Sequence, residues 1–196
     1  MGFLEGKCKI FPMTDELVTL CQPFHCGDSD LDDFFANNTG NYERQMLGKS
    51  YCCCLIENPL EIVCAFTVST AGMDVRHLPG SRKKKFTEVF PREKHLSSYP
   101  AVLIGRMGVN KDFSRKGIGS ELLEIICAWA IAPDNKFACR FLIVDAYNNE
   151  ITRKFYETNG FIYLFTSEQQ EKEYIKMPLE RELKTRLMYF DLLRIS

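Results

Sequence analysis

Two apolar runs with a helical segment between them constrain this chain more than any other feature. "PAVLIGRMGV" (100–109) and "RFLIVDA" (140–146) are too continuously apolar for half-solvated strands and read as strands covered on both faces. Between them Ile118, Leu122, Ile125, Ile126 and Trp129 recur at i, i+4, i+7, i+8 and i+11, one stripe of a helix over 117–132. Strands joined through a helix run parallel with a right-handed crossover. The expectation is a mixed α/β sheet built around one βαβ unit.

The flanks add elements to that unit. "CKIFPM" (8–13) reads as a strand, and Thr14 caps "TDELVTL". Ser29 or Asp30 opens a helix through "DLDDFFANNTGNYERQML". "SYCCCLIE" and "EIVCAFTVST", separated by "NPL", form a hairpin. A helix from Asn149 to Asn159 closes at Gly160. "FIYLF" and "TRLMYFDLLRI" are two further strands, and the apolar last one could pair across a homodimer.

At 196 residues with 45% hydrophobic and 26% charged residues, the chain reads as one globular domain. A net charge of -1 weighs against a protein that coats nucleic acid. No apolar run is long enough for a bilayer and no secretory h-region opens the chain, so a cytoplasmic protein without membrane contact is expected. Nine cysteines, an odd number, read as reduced and mostly buried thiols; consecutive Cys52, Cys53 and Cys54 alternate faces and cannot converge. "CQPFHC" (Cys21, His25, Cys26) lacks the second paired cluster of a zinc site, so no metal is expected. A basic insertion at about 75–99 carries Arg76, Arg82, Lys83, Lys84, Lys85, Arg92 and Lys94 against Glu88 and Glu93. It is a solvated loop or a cleft wall that recruits an anion.

Chemistry enters at "FSRKGIGSELL" (113–123). A Walker loop would need Lys after the second glycine, but Lys116 precedes Gly117. A dinucleotide fingerprint would need a third glycine where Leu122 stands, and the turn directly after the strand. A pyrophosphate cradle fits better. Gly117 and Gly119 let backbone approach a ligand, amides of residues 116 to 120 point out of the turn, and the helix dipole adds positive potential. Arg115, Lys116 and Lys111 supply charge. A tight helix entry with no ligand is the plain alternative.

Taken with "LIGRMGV" before it and "NNEITRKFYETNGFIYL" after the next strand, this turn resembles the GCN5-related N-acetyltransferase (GNAT) family from Ala101 to about Leu164. The family's Q/R-x-x-G-x-G/A falls on Ser114 to Gly119, with Ser114 in place of Gln or Arg. Its N-x-x-A-x-x-F-Y-x-x-x-G-F falls on Asn149 to Phe161, with Thr152 in place of Ala. The resemblance implies a GNAT fold with a central sheet of about seven strands, a splayed parallel pair and flanking helices. It implies acetyl-CoA as co-substrate, held by Met107, Gly108 and Val109, by Arg115, Lys116, Gly117, Ile118, Gly119 and Ser120 on its diphosphate, and by Asn149 on its arm. Tyr156, seven residues after Asn149 and so on the same helix face, is the general acid for the leaving thiolate.

The strand at 101–109 carries Arg106 and no carboxylate, so the base is left to a water relay, Glu43 or Tyr99. "FHCGDSDLDDFF", "SYCCCLI", "AFTVST" and "YPAVLIGRMGV" further resemble the acetyltransferase toxins of bacterial toxin–antitoxin pairs, which acetylate aminoacyl-tRNA, with Arg106 and Tyr156 at matching positions. The expected function is transfer of acetyl from acetyl-CoA to a primary amine, with Arg106 and Tyr99 contacting the acceptor. A tRNA-directed toxin is the alternative, and a non-catalytic acyl-CoA binding module is a third reading.

Overall fold

The computed structural model describes residues 2–76, 78, 80, 84 and 98–195. Most of the basic segment at 75–99 lies outside them. Seven strands stand in the order β1-β2-β3-β4-β5-β7-β6: β1 Cys8–Pro12, β2 Lys49–Leu55, β3 Ile62–Asp74, β4 Ser98–Val109, β5 Phe141–Tyr147, β6 Ile162–Tyr163 and β7 Thr185–Asp191. The helices are α1 Phe3–Lys7, α2 Asp15–Leu20, α3 Ser29–Asn37, α4 Thr39–Arg44, α5 Ile118–Ile131, α6 Glu150–Thr158 and α7 Glu168–Tyr174. The sheet is mixed, as the sequence implied: β4 and β5 pair in parallel from Ala101 opposite Phe141 to Leu103 opposite Ile143, while β1–β2, β2–β3, β5–β7 and β6–β7 are antiparallel.

The described chain forms two compact units, one of residues 1–69 and 104–132, the other of 70–103 and 133–196. In the first, alternation along β2 puts Cys52 and Cys54 on one face with Met13, Phe24, Phe34, Phe35, Ile62 and Ala65. Phe35 meets Phe24 and Phe34 edge-on at 5.5 Å each. Cys53 faces the other way, in register with Cys64. None of the nine cysteines is in a disulfide.

Local chemistry sets the helix boundaries. Thr14 Oγ1 accepts from Leu17 N at 3.2 Å and caps α2. For α3 the cap is Asp28, one residue ahead of the expected Ser29 or Asp30; its Oδ1 accepts from Asp30 N and Leu31 N at 3.0 and 3.2 Å. The single helix expected through 47 breaks at Asn38, whose φ and ψ are -121° and -10°. The run Asn38–Thr39–Gly40 has little helical preference to oppose that break.

In the second unit Tyr99, Ala101, Phe141, Ile143, Leu164, Phe165 and Tyr189 pack around the parallel pair. β7 lies between β5 and β6, with Phe141 opposite Asp191 and Ile162 opposite Tyr189. Within the chain the last strand is therefore bonded to β5 along its length and to β6 at Met188 and Tyr189. It also stops at Asp191, whose carboxylate takes two hydrogen bonds of 2.8 Å from Arg140 and caps a 3₁₀ turn at Leu192–Arg194. "FIYLF" yields only two strand residues, because Phe161, Leu164 and Phe165 turn into the core.

The polar helix α7 was not anticipated. Glu171 fastens it to β7 by accepting from Arg186 Nε at 2.7 Å and from Leu187 N at 2.5 Å. Burial pushes the Glu171 carboxyl above the usual range, and those two donors pull against the shift.

Candidate functional site

The turn after β4 is built from residue chemistry outward. Asn110, 8% exposed, gives its backbone N–H to Val63 O at 2.9 Å and its Nδ2 to Ile62 O at 3.0 Å, tying the end of β4 to β3. Its Oδ1 accepts from Asp112 N at 3.3 Å and starts a 3₁₀ turn at Lys111–Phe113. The sequence reading passed over this residue, although an Asn two positions before an Asp at a strand end is a turn signal.

Two left-handed residues then reverse the backbone, Arg115 at φ 60° and Gly117 at φ 76°. Nothing lies within 4 Å of where a Gly117 Cβ would stand, so conformation and not crowding selects glycine there. Among the described residues no backbone acceptor takes the amides of Arg115, Lys116, Gly117, Ile118 or Gly119. The free stretch ends one residue earlier than expected. Ser120 N donates to Gly117 O at 3.0 Å, so the amide of Ser120 already belongs to the helix.

Arg115 and Lys116 are exposed. Lys116 Nζ donates to Asp112 O at 3.2 Å and sits 5.2 Å from the Phe113 ring. Open amides, a helix entry and two cations on one turn make an anion cradle.

Upstream on β4, Met107 and Val109 are half-buried. Gly108 was expected to allow a ligand close to the strand. Its missing Cβ instead makes room for protein, since a methyl there would stand 3.0 Å from Cys26 Cβ and 3.3 Å from Phe24 Cζ. Arg106 is half-buried with its guanidinium stacked on Phe34, and among the described residues it has no carboxylate partner. A cleft of about 320 Å³ opens beside Lys111, lined by Gln22, His25, Glu61, Asn110 and Asp112; it contains none of the free amides.

In the second unit Asn149 is exposed and its Oδ1 accepts from Thr152 N at 2.8 Å, capping α6. As a cap it precedes the first helical turn, so the shared-face argument linking it to Tyr156 does not apply; its Nδ2 is the end left for a ligand. Tyr156 is 8% exposed, packed edge-on against Phe155 and Phe161 at 5.1 and 5.3 Å. Burial pushes its hydroxyl up to about 12, and among the described residues the hydroxyl has no hydrogen-bond partner.

Asn148, also unremarked in the sequence, holds the entry to α6. Its Nδ2 donates to Glu168 Oε1 and Leu183 O at 2.9 and 2.8 Å. Tyr99 is 2% exposed with its ring edge-on to Phe141 at 5.9 Å, which makes it a core residue and removes it from an open acceptor surface. Among the described residues no three His, Cys, Asp or Glu side chains could share a metal, the Cys21–His25–Cys26 group included. No described helix is long and apolar enough to cross a membrane.

Residues 85–163 match the family model described as an acetyltransferase (GNAT) domain. Over that stretch the chain is similar to a GNAT acetyltransferase domain. No curated protein matches it in sequence. Among solved structures, the GNAT fold is shared with AtaT complexed with acetyl-methionyl-tRNAfMet, at 20% identity, 96% coverage of each chain and a TM-score of 0.67. A tyrosine-to-phenylalanine mutant of KacT is similar at 17% identity, 96% and 97% coverage and a TM-score of 0.67. AtaTR bound with acetyl-CoA follows at 19% identity, 96% coverage of each chain and 0.63. Within a GNAT domain the cradle after β4 and the tyrosine of α6 are thus the two features that require a chemical role.

Proposed function

We propose that this chain transfers the acetyl group of acetyl-CoA to a primary amine by direct attack on the thioester. The observation that carries this reading is the turn at 115–119, where free amides, the α5 entry and two exposed cations meet. A diphosphate is the ligand that satisfies all three at once. Met107 and Val109 would then hold the pantetheine arm by backbone, and Asn149 Nδ2 would donate to one of its carbonyls.

In the reaction the amine nitrogen forms a C–N bond to the acetyl carbon and the C–S bond breaks. The coenzyme leaves as a thiolate, and Tyr156 donates to its sulfur. With its hydroxyl raised to about 12, Tyr156 stays protonated throughout the neutral range. The apolar surroundings that raise the phenol also raise the thiol, which helps a proton reach sulfur. The amine's own proton passes to solvent, because β4 offers no carboxylate.

Thiol release from acetyl-CoA over a panel of amines tests the reading. Turnover with at least one amine, abolished in Tyr156→Phe, is expected. Coenzyme binding without turnover on any amine would favour a binding module.

A second reading, acetylation of the amino group of aminoacyl-tRNA, is favoured by full-length similarity to AtaT bound to acetyl-methionyl-tRNAfMet. Arg106, without a carboxylate partner among the described residues, is consistent with an anionic acceptor. Labelled acetyl appearing on charged tRNA, with growth arrest on expression that Tyr156→Phe relieves, would select it. Normal growth with abundant active protein would remove it.

A further inference from the structure

The helix α1 packs against α5, whose first turn follows the cradle. Glu121 lies in the first turn of α5, one turn from the free amides of Ile118 and Gly119. A carboxylate there opposes a bound anion, because the first turn of a helix is where phosphate and carboxylate compete for the same positive potential. The structure gives that carboxylate another destination. Its Oε1 accepts from Glu5 N at 2.9 Å, so it caps α1, whose own cap position is Gly2 and has no side chain. The fit is close: a Cβ on Gly2 would collide with the Glu121 carboxylate. α1 is pressed onto the same turn by its first residue. The Phe3 ring lies 5.9 Å from that of Phe113, and Lys116 Nζ lies over the Phe113 ring. One short segment therefore holds an acid and supports a cation of the cradle.

We propose that α1, through Phe3, Gly2 and the Glu5 amide, keeps the Glu121 carboxylate off the coenzyme cradle, and that Glu121 is a positioning residue for acetyl-CoA affinity. This rests on the turn at 115–119 holding the diphosphate. Releasing α1 frees a negative charge one helical turn from the phosphates and loosens Lys116. Both effects oppose the coenzyme and leave the acetyl transfer itself unchanged, so they fall on KM and not on kcat.

The test compares full-length wild type, Phe3→Ala, Gly2→Ala, Glu121→Gln and the two double variants that add Glu121→Gln. CoA affinity is read by calorimetry at low and high salt, and KM and kcat are measured with any amine that the enzyme accepts. Phe3→Ala and Gly2→Ala should each weaken CoA binding about three- to tenfold at low salt, with less effect at high salt, because a single charge at this range is screened. kcat should change less than twofold. Adding Glu121→Gln, which keeps an oxygen for Glu5 N but removes the charge, should recover most of the loss.

Gly2→Ala displaces the carboxylate without opening the core, so it decides the matter if Phe3→Ala folds poorly. Weakening that is insensitive to salt and not recovered by Glu121→Gln would show that α1 only props the turn, and would overturn the proposal. Unchanged affinity in both single variants would overturn it as well. Wild type that does not bind CoA at all would overturn the cradle together with it.

Discussion

The guanidinium of Arg106 lies 3.8 Å from the centre of the Phe34 ring and 5.6 Å from that of Tyr42. Phe34 and Tyr42 are themselves edge-to-face at 5.6 Å, so two rings hold one cation in a fixed orientation. With no carboxylate partner among the described residues, its N–H edge is available to an acceptor substrate. Arg106→Ala should raise the KM for the acceptor roughly tenfold, the size of a charge-assisted hydrogen bond lost. The affinity for CoA should stay within about twofold. A large loss of CoA binding with unchanged acceptor KM would assign Arg106 to the coenzyme instead.

Tyr156 makes a sharper case. Phenylalanine removes only a hydroxyl that bonds nothing among the described residues, so Tyr156→Phe should fold with stability within about 1 kcal/mol of wild type. Its acetyl transfer should nonetheless fall by about 10²-fold or more, the usual worth of a proton donor in the transition state. Chemical denaturation beside steady-state rates checks both halves; full activity in this variant would make Tyr156 a packing residue.

The same hydroxyl sets a pH dependence. Burial pushes it up to about 12 from the ordinary tyrosine value of 10.0, so above pH 10 the unfolded chain loses this proton while the folded chain keeps it. Stability from this group is full below pH 10 and is lost between about pH 10 and 12, by on the order of 2 kcal/mol. Denaturation midpoints at pH 9 and 11 should therefore differ less in Tyr156→Phe than in wild type. Equal alkaline losses in the two would mean that the ring is less buried in solution.

Gly117 is expected to act through backbone alone. With φ at 76° and open space around it, Gly117→Ala should cost about 1 kcal/mol of stability and weaken CoA binding, with no steric clash involved. Replacing Thr67 should have the opposite sign. Its Oγ1 and the Oγ of Ser50, its cross-strand partner on β2, are fully buried oxygens without a hydrogen bond among the described residues. Thr67→Val removes one such burden and should leave stability unchanged or raise it by up to about 1 kcal/mol; a loss above 1 kcal/mol would reveal a partner for that hydroxyl.

The thiols give a last prediction. Cys52, Cys53, Cys54 and Cys64 are fully buried, and burial pushes Cys21 and Cys26 up to about 11. A thiol reagent at pH 7.5 should modify the native protein slowly and all nine sites only after denaturation; rapid native labelling of four or more would contradict the packing of β2.

What could be read ahead of the structure was whatever is local and periodic. The start of the α5 stripe, the Thr14 cap, the alternating cysteines and the parallel pair follow from spacing, while Trp129 at the end of that stripe is 39% exposed and Leu123 and Cys127 are buried in addition. The misses share a different origin. α7 is polar except for Tyr174, which packs on Phe165, and it is fastened by a long-range carboxylate, Glu171, meeting Arg186 and Leu187, although "SEQQ" does carry a capping signal at Ser167. The helix over 30–47 broke where local preference was weak. Gly108 was placed correctly and explained wrongly, because what approaches that strand is the protein's own Phe24 and Cys26. At the site, motif residues could be named from sequence, but Asn149 as a cap, Tyr99 as core and Glu121 as a held charge depend on partners far along the chain.

The position of β7 bears on biosynthesis. β5 finds its neighbour β4 before it in the chain, but its other edge is completed by residues 185–191, whose register partners lie 38 to 50 positions later. Until those residues emerge from the ribosome, one side of β5 has unpaired backbone groups and the α6 tyrosine lacks a finished sheet behind it. Catalytic competence should therefore arrive late in synthesis and abruptly, and a nascent chain stalled before residue 185 should be both inactive and prone to associate through that open edge.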